Sequence, residues 1–179
     1  MKIESNGIIV ALRPFGNRDM VGRVFTREHG LVAGVFKAGQ VAKRRALLGQ
    51  YGRASWSARL DSQLGALHFE NERNLTAAIF NNAAALKYAN ACLELLAAFL
   101  PEREAYPKLF DATMKYFSGG DYLEWEIKLL AELGYGLSLD RCGGCGRTDG
   151  LAFVSPKTGR AVCEECGAPY ADKLLKGPV

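Results

Sequence analysis

Two patterns of apolar and polar positions divide this chain. Over the first 75 positions, short apolar runs alternate with turn-forming residues. "GIIVALR" (7–13) reads as a strand and "PFGNRD" (14–19) as a turn. "MVGRVFT" (20–26) and "LVAGVFKAG" (31–39) read as two more strands, joined by the tight "REHG" (27–30). After a basic loop, "QVAKRRALLG" (40–49), the segment "YGRASWSARL" (51–60) alternates apolar with polar, and "GALHFENERN" (65–74) closes the series. Runs of this length, bounded by Gly, Pro, Asn and Asp, predict five strands. Closing them into a small barrel removes exposed edges. Five strands in so short a stretch suit an OB-fold better than a sandwich.

The period changes near Leu75. "LTAAIFNNAAALKYANACLELLAAFL" (75–100) is rich in Ala and Leu at helical spacing, and Pro101 ends it. "YPKLFDATMKYFSGG" (106–120) predicts a short helix stopped by Gly119 and Gly120. "DYLEWEIKLLAELGYG" (121–136) opens with Asp121 as N-cap and Glu124 three residues on, the pattern of a capping box. Beyond it, "LAFVSPKTGRAV" (151–162) predicts a hairpin around a Pro/Gly turn. The expected fold class is therefore α+β. An N-terminal five-stranded OB-fold barrel (1–75) precedes a helical domain (76–179) with an inserted four-cysteine zinc ribbon (140–168).

Charge sharpens the division. Residues 1–75 carry 12 Lys/Arg against 6 Asp/Glu, whereas residues 76–179 carry 11 against 13. A basic half joined to a nearly neutral half suggests a polyanion-binding module with a separate support. No apolar run reaches the length of a membrane helix. "MKIESNGIIV" does not have the layout of a signal peptide. A cytoplasmic protein is expected.

Four of the five cysteines form two pairs, Cys142/Cys145 and Cys163/Cys166. Clustered thiols in a reducing compartment favour metal over disulfide. Two-residue spacing brings two thiolates onto one ion, and glycine follows each pair, at Gly146 and Gly167. The residue after the second cysteine of a knuckle often needs positive φ, which glycine adopts without strain. Four thiolates make a closed structural Zn2+ site, with iron of the rubredoxin type as the other candidate. A closed site leaves no position for water, so catalysis at the ion is not expected. Neither pair follows a proline and no H-x-E precedes them, which excludes the zinc deaminase pattern. Cys92 reads as a core residue in a helix.

The barrel segment supplies the candidate nucleic-acid contacts. They are Arg13, Arg18, Arg23, Arg27, Lys37, Lys43, Arg44, Arg45, Arg53 and Arg59. Cations there would neutralise phosphates. Phe15, Phe25, Phe36, Tyr51 and Trp56 lie among them. Most of these aromatics should be core, with Phe15 the exception because it lies in a turn. There is no G-x-x-x-x-G-K-[ST] loop and no G-x-S-x-G, and neither His29 nor His68 has a catalytic partner nearby in sequence. The chain does not read as an enzyme.

These residues, taken together, resemble the RecO family of bacterial recombination mediators. The resemblance rests on "ALRPFGNRDMVGRVFTREHGLVAGVFKAG" (11–39), "KRRALLGQYGRASWSARLDSQLGAL" (43–67), "LPEREAYPKLFDA" (100–112), "WEIKLLAELGYGLSLDRCGGCG" (125–146) and "LAFVSPKTGRAVCEECGAPY" (151–170). It implies an OB-fold, a helical domain and a zinc segment held by Cys142, Cys145, Cys163 and Cys166. It implies a basic DNA-binding loop at Lys37, Lys43, Arg44 and Arg45. The implied activity is binding of single- and double-stranded DNA, annealing of complementary strands and, with RecR, loading of RecA onto DNA coated by single-strand-binding protein. The implied partners are DNA, RecR, the C-terminal tail of single-strand-binding protein and RecF, at the nucleoid. Family members continue past "GAPYADKLL" with further helix, whereas this chain ends at Val179, so no residues are assigned to tail docking. The alternative is a zinc-ribbon adapter that binds protein without direct DNA contact. A thiol enzyme at the cysteine pairs is a further competitor.

Overall fold

The first strand sets the architecture of the barrel. In a computed structural model, which describes residues 2–37, 47–60, 64–79 and 82–176, β1 spans Lys2–Phe15. It is longer than its apolar run because it pairs on both sides. Lys2–Ile8 lies antiparallel to β4 (Gln50–Ser57), and Gly7–Phe15 lies antiparallel to β2 (Asp19–Thr26). An irregularity in register between Ile9 and Ala11 leaves an extra residue there, a bulge of the kind that bends a strand. β2 pairs with β3 (Gly30–Phe36), and β4 with β5 (Gly65–Asn74). A short parallel contact, Gly34 with Gly65 and Val35 with Ala66, closes the barrel in the order β1-β2-β3-β5-β4. The expected five-stranded OB-fold barrel is what forms.

Ile3, Ile9, Val24, Val32, Phe36, Ala54, Trp56, Leu67 and Phe69 make its core. Ile8, Val10 and Phe25 are equally buried outside that cluster. Both faces of β1 are thus covered, which is why "GIIV" is a continuous apolar run and not an alternation. The large rings occupy space that glycines leave. A Cβ at Gly22 would stand 2.1 Å from the Phe36 ring, and one at Gly65 would stand 2.4 Å from Trp56. The Trp56 indole N–H donates to the Ala33 carbonyl at 2.8 Å, so the buried ring keeps its hydrogen bond.

The helices begin later than the periodicity predicts. α1 is Ala83–Phe99, because Asn82 Oδ1 accepts from the N–H groups of Ala84 and Ala85, both at 3.1 Å. That cap fixes the start, and Ala77–Ile79 forms a separate short turn. Leu100, held extended before Pro101, ends α1. α2 (Pro107–Phe117) starts on its proline, and its Phe110 meets Phe25 edge-on at 5.3 Å. α3 is Tyr122–Leu130. Asp121 Oδ1 accepts from Glu124 N–H at 3.0 Å, as a cap should, but the Glu124 carboxylate pairs with Lys115 at 3.0 Å instead of folding back. Below it, Trp125 Nε1 donates to Thr113 Oγ1 (2.9 Å), which donates to the Leu109 carbonyl (2.8 Å).

The chain divides into two compact units, Met1–Glu126 and Ile127–Val179. The second begins within α3 and continues into a wide turn, Ala131–Tyr135, containing Gly134 at φ +84°. The predicted hairpin follows as β6 (Leu151–Val154) and β7 (Ala161–Cys163). A single helical turn, α4 (Glu164–Gly167), and a two-residue strand, β8 (Leu175–Lys176), complete it, with sheet order β7-β6-β8. Among its described residues only Leu129, Cys142, Ala161, Cys163 and Gly167 are buried.

Candidate metal centre and basic barrel surface

The hairpin brings the two cysteine pairs together. The first pair sits in a tight loop closed by Gly146 N–H to the Cys142 carbonyl (2.9 Å) and by Cys142 N–H to the Arg147 carbonyl (2.7 Å). Gly146 has φ +79°, as expected of the residue after the second cysteine. Gly167 departs from that expectation, with φ −86° and ψ −26° in the ordinary helical region. Its reason is space: a Cβ there would lie 2.4 Å from the Phe153 ring. The second pair lies at the end of β7 and in α4. An ion pair between Arg147 and Glu165, 3.0 Å apart, joins the two loops.

All four sulfurs lie within 4.8 Å of one another, and Cys145 Sγ is 3.7 Å from Cys163 Sγ. Four sulfurs placed tetrahedrally at about 2.3 Å from one ion would be separated by about 3.8 Å. The donor set therefore fits a single metal ion. The sulfur of Cys142 receives backbone N–H groups from Cys163 (3.3 Å) and Gly144 (3.4 Å). The N–H groups of Cys163, Cys145 and Gly144 hold its thiol down at about 6. Cys166, hydrogen-bonded to the neighbouring sulfurs of Cys163 and Cys145, is pushed up to about 12. Backbone donors thus favour the thiolate at Cys142, whereas Cys166 keeps its proton in hydrogen bonds to the neighbouring sulfurs. Cys92 stands apart, fully buried in α1, with burial raising its thiol pKa.

The basic candidates fall into three groups. Lys43, Arg44 and Arg45 lie outside the described residues. Four others already have acceptors. Arg23 donates to the Ala97 carbonyl at 2.7 Å, near the end of α1, and lies 3.8 Å from Glu102. Arg27 makes two bonds of 2.9 Å to Asp111. Lys37 pairs with Asp19 at 3.0 Å, and Arg53 with Glu4 at 2.9 Å. Arg13, Arg18 and Arg59 are exposed and have no ion-pair partner among the described residues. Phe25, Phe36 and Trp56 are buried, and Phe15 is half exposed, although it is the last residue of β1 and not part of the expected turn.

Two aromatic–cation contacts carried no sequence signal. Arg73 lies over Tyr51 at 5.0 Å, although it sits in the acidic stretch "ENERN". Arg103, in the connection after α1, lies 4.0 Å over Trp56. Its amide donates to the Leu31 carbonyl at 2.9 Å, so a remote segment closes over the barrel ring. Among the described residues no helix is long and apolar enough to cross a membrane.

Comparison with known proteins agrees with this architecture. The family model described as Recombination protein O N terminal matches residues 1–71, and Recombination protein O C terminal matches residues 81–176. The DNA repair protein RecO of Rhodospirillum centenum is 40% identical over 189 residues, covering 99% of this chain and 76% of the relative. The DNA repair protein RecO of Bartonella quintana is 37% identical over 188 residues (99% and 77%). That of Paracoccus denitrificans is 38% identical over 188 residues (99% and 77%). With the barrel, the helices and the four-cysteine centre all in place, the chain belongs to the RecO family of DNA repair and recombination proteins.

Proposed function

We propose that this chain binds single- and double-stranded DNA, anneals complementary strands and, with RecR, helps load RecA onto DNA coated by single-strand-binding protein. The observation that supports this most is the family match over both halves of the chain. The DNA-binding module is assigned to residues 1–75 and the supporting part to 76–179. The barrel and its basic loop would hold two strands by their phosphates while the bases stay free to pair. No covalent chemistry is needed: screening between phosphates lowers the barrier to annealing. Zn2+ is the ion assigned to Cys142, Cys145, Cys163 and Cys166, as a staple. The tail of single-strand-binding protein and RecF are the remaining proposed partners, and the site of action is the cytoplasmic nucleoid.

The ion pairs refine which cations matter. Arg23, Arg27, Lys37 and Arg53 must give up an acceptor before they can meet a phosphate, so the main contacts are assigned to Arg13, Arg18, Arg59 and the loop Lys43, Arg44, Arg45. A phosphate-dominated interface gives steep salt dependence, with a slope of about −0.7 per phosphate neutralised on single strands. Replacing Lys43, Arg44 and Arg45 by alanine should therefore flatten the slope by about 2 units. Arg27→Ala should leave it unchanged. An unchanged slope in the triple variant would sink the loop assignment. The same four ion pairs favour, as a second reading, a zinc-ribbon adapter that binds protein only. Salt-insensitive or absent DNA binding by the full chain would support that reading.

A further inference from the structure

The helical part of Met1–Glu126 contains a groove unrelated to the basic barrel surface. It has a volume of about 540 Å³ and is lined chiefly by Ala85, Tyr88, Tyr116, Asp121, Tyr122 and Glu126. We propose that this groove is a docking site for an arginine side chain presented by a segment of a partner protein.

Its walls are aromatic rings in tilted and edge-to-face contact. Tyr88 and Tyr122 lie 4.9 Å apart at 37°, Tyr116 and Tyr122 lie 5.9 Å apart at 71°, and Trp125 backs Tyr122 at 5.6 Å. The face of each ring carries negative potential and attracts a cation within about 6 Å. Two carboxylates add to that potential. Neither Asp121 nor Glu126 has a basic partner within ion-pair distance among the described residues, whereas the nearby Glu124 is already neutralised by Lys115. Asp121 uses Oδ1 to cap α3, and its second oxygen remains available. An arginine matches this better than a lysine. Its planar guanidinium stacks on aromatic rings and presents paired donors to a carboxylate. Tyr88 and Leu123 are 52% and 61% exposed at the rim, so apolar residues flanking the arginine would also find cover. Clustered tyrosines alone would suit nucleobases equally well, but the two carboxylates repel a phosphate backbone. The groove is independent of the DNA-binding proposal, and either can fail alone.

The test uses the full chain and fluorescence anisotropy. The probes are a fluorescein-labelled Ala-Leu-Arg-Leu-Ala amide and the same peptide with neutral citrulline in place of arginine. The arginine peptide should bind about tenfold more tightly than the citrulline peptide. Glu126→Gln and Tyr88→Ala should each weaken the arginine peptide by about fivefold and leave the citrulline peptide unchanged. Glu126→Gln keeps the size of the side chain, and unaltered circular dichroism would show that its effect is local. Equal affinity for the two peptides, or no binding of either, would overturn the proposal. Displacement of the arginine peptide from the parent chain by a short oligothymidylate, lost in Tyr88→Ala, would assign the groove to nucleic acid and overturn it as well.

Discussion

Removing the ion from the four-cysteine centre should unfold Ile127–Val179 and leave the barrel folded. Among the described residues of this unit the buried side chains are Leu129, Ala161 and two of the cysteines themselves. A fully buried leucine contributes about 1.5–3 kcal/mol, and an alanine less. Ordering each residue of the chain costs about 1–2 kcal/mol, so two buried aliphatic side chains cannot hold such a unit. A structural zinc site contributes about 10–16 kcal/mol in small peptides. Even if loss of the metal removed only about 4 kcal/mol, amide exchange in the unit would accelerate about 1000-fold. Hydrogen exchange followed by mass spectrometry, before and after chelation, measures this directly. Residues 142–163 should lose protection, and trypsin should cut at Arg147, Lys157 and Arg160. Trp56 is buried in the barrel, in the other unit, so its emission, read in a Trp125→Phe variant, should not change. Restoring Zn2+ should restore protection. Unchanged exchange over 142–163, or loss of Trp56 emission in step with it, would refute the reasoning.

Two further outcomes are expected. Thr113→Val keeps the shape but strands the Trp125 indole N–H. A buried donor without a partner costs about 1–3 kcal/mol, so urea denaturation should show Thr113→Val to be less stable than Thr113→Ser, which keeps the hydroxyl. The opposite order would remove the hydrogen bond from the account. Arg27, through its hydrogen bonds, holds Asp111 below its ordinary value of 3.8. The stability this contributes is present above the ordinary carboxylate value and disappears as pH falls through the depressed folded one. Both side chains are about half exposed, and solvent screens such a pair. Arg27→Met should therefore shift the urea midpoint only slightly near neutral pH and not at all in strong acid. A difference that persists in acid would mean packing, not charge, sets the effect.

The elements with a local cause were legible in the sequence. Five apolar runs between turn residues specified the strands of the barrel, and two C-x-x-C units around a Pro/Gly turn specified the cysteine centre. Asp121 marked a helix start through capping. The start of α1 was harder to read. Helical spacing extends back to Leu75, and only the bonds from Ala84 and Ala85 to Asn82 show where the helix begins. The two glycines after the cysteine pairs look alike in sequence, yet one supplies a positive φ and the other makes room for a ring.

The strands, the charge asymmetry and the four thiols are written in residues close together along the chain, which is why they could be read before any packing was known. Packing selects which of those charges remain available. Arg27 meets Asp111, Arg53 meets Glu4 and Arg103 covers Trp56 across gaps that no local pattern encodes. It also gathered Tyr88, Tyr116 and Tyr122, each unremarked in its own segment, into one groove beside two carboxylates. The physical reason is the same in every case. Periodicity and capping act over a few residues, whereas an ion pair, a ring contact or a groove exists only after distant segments have packed.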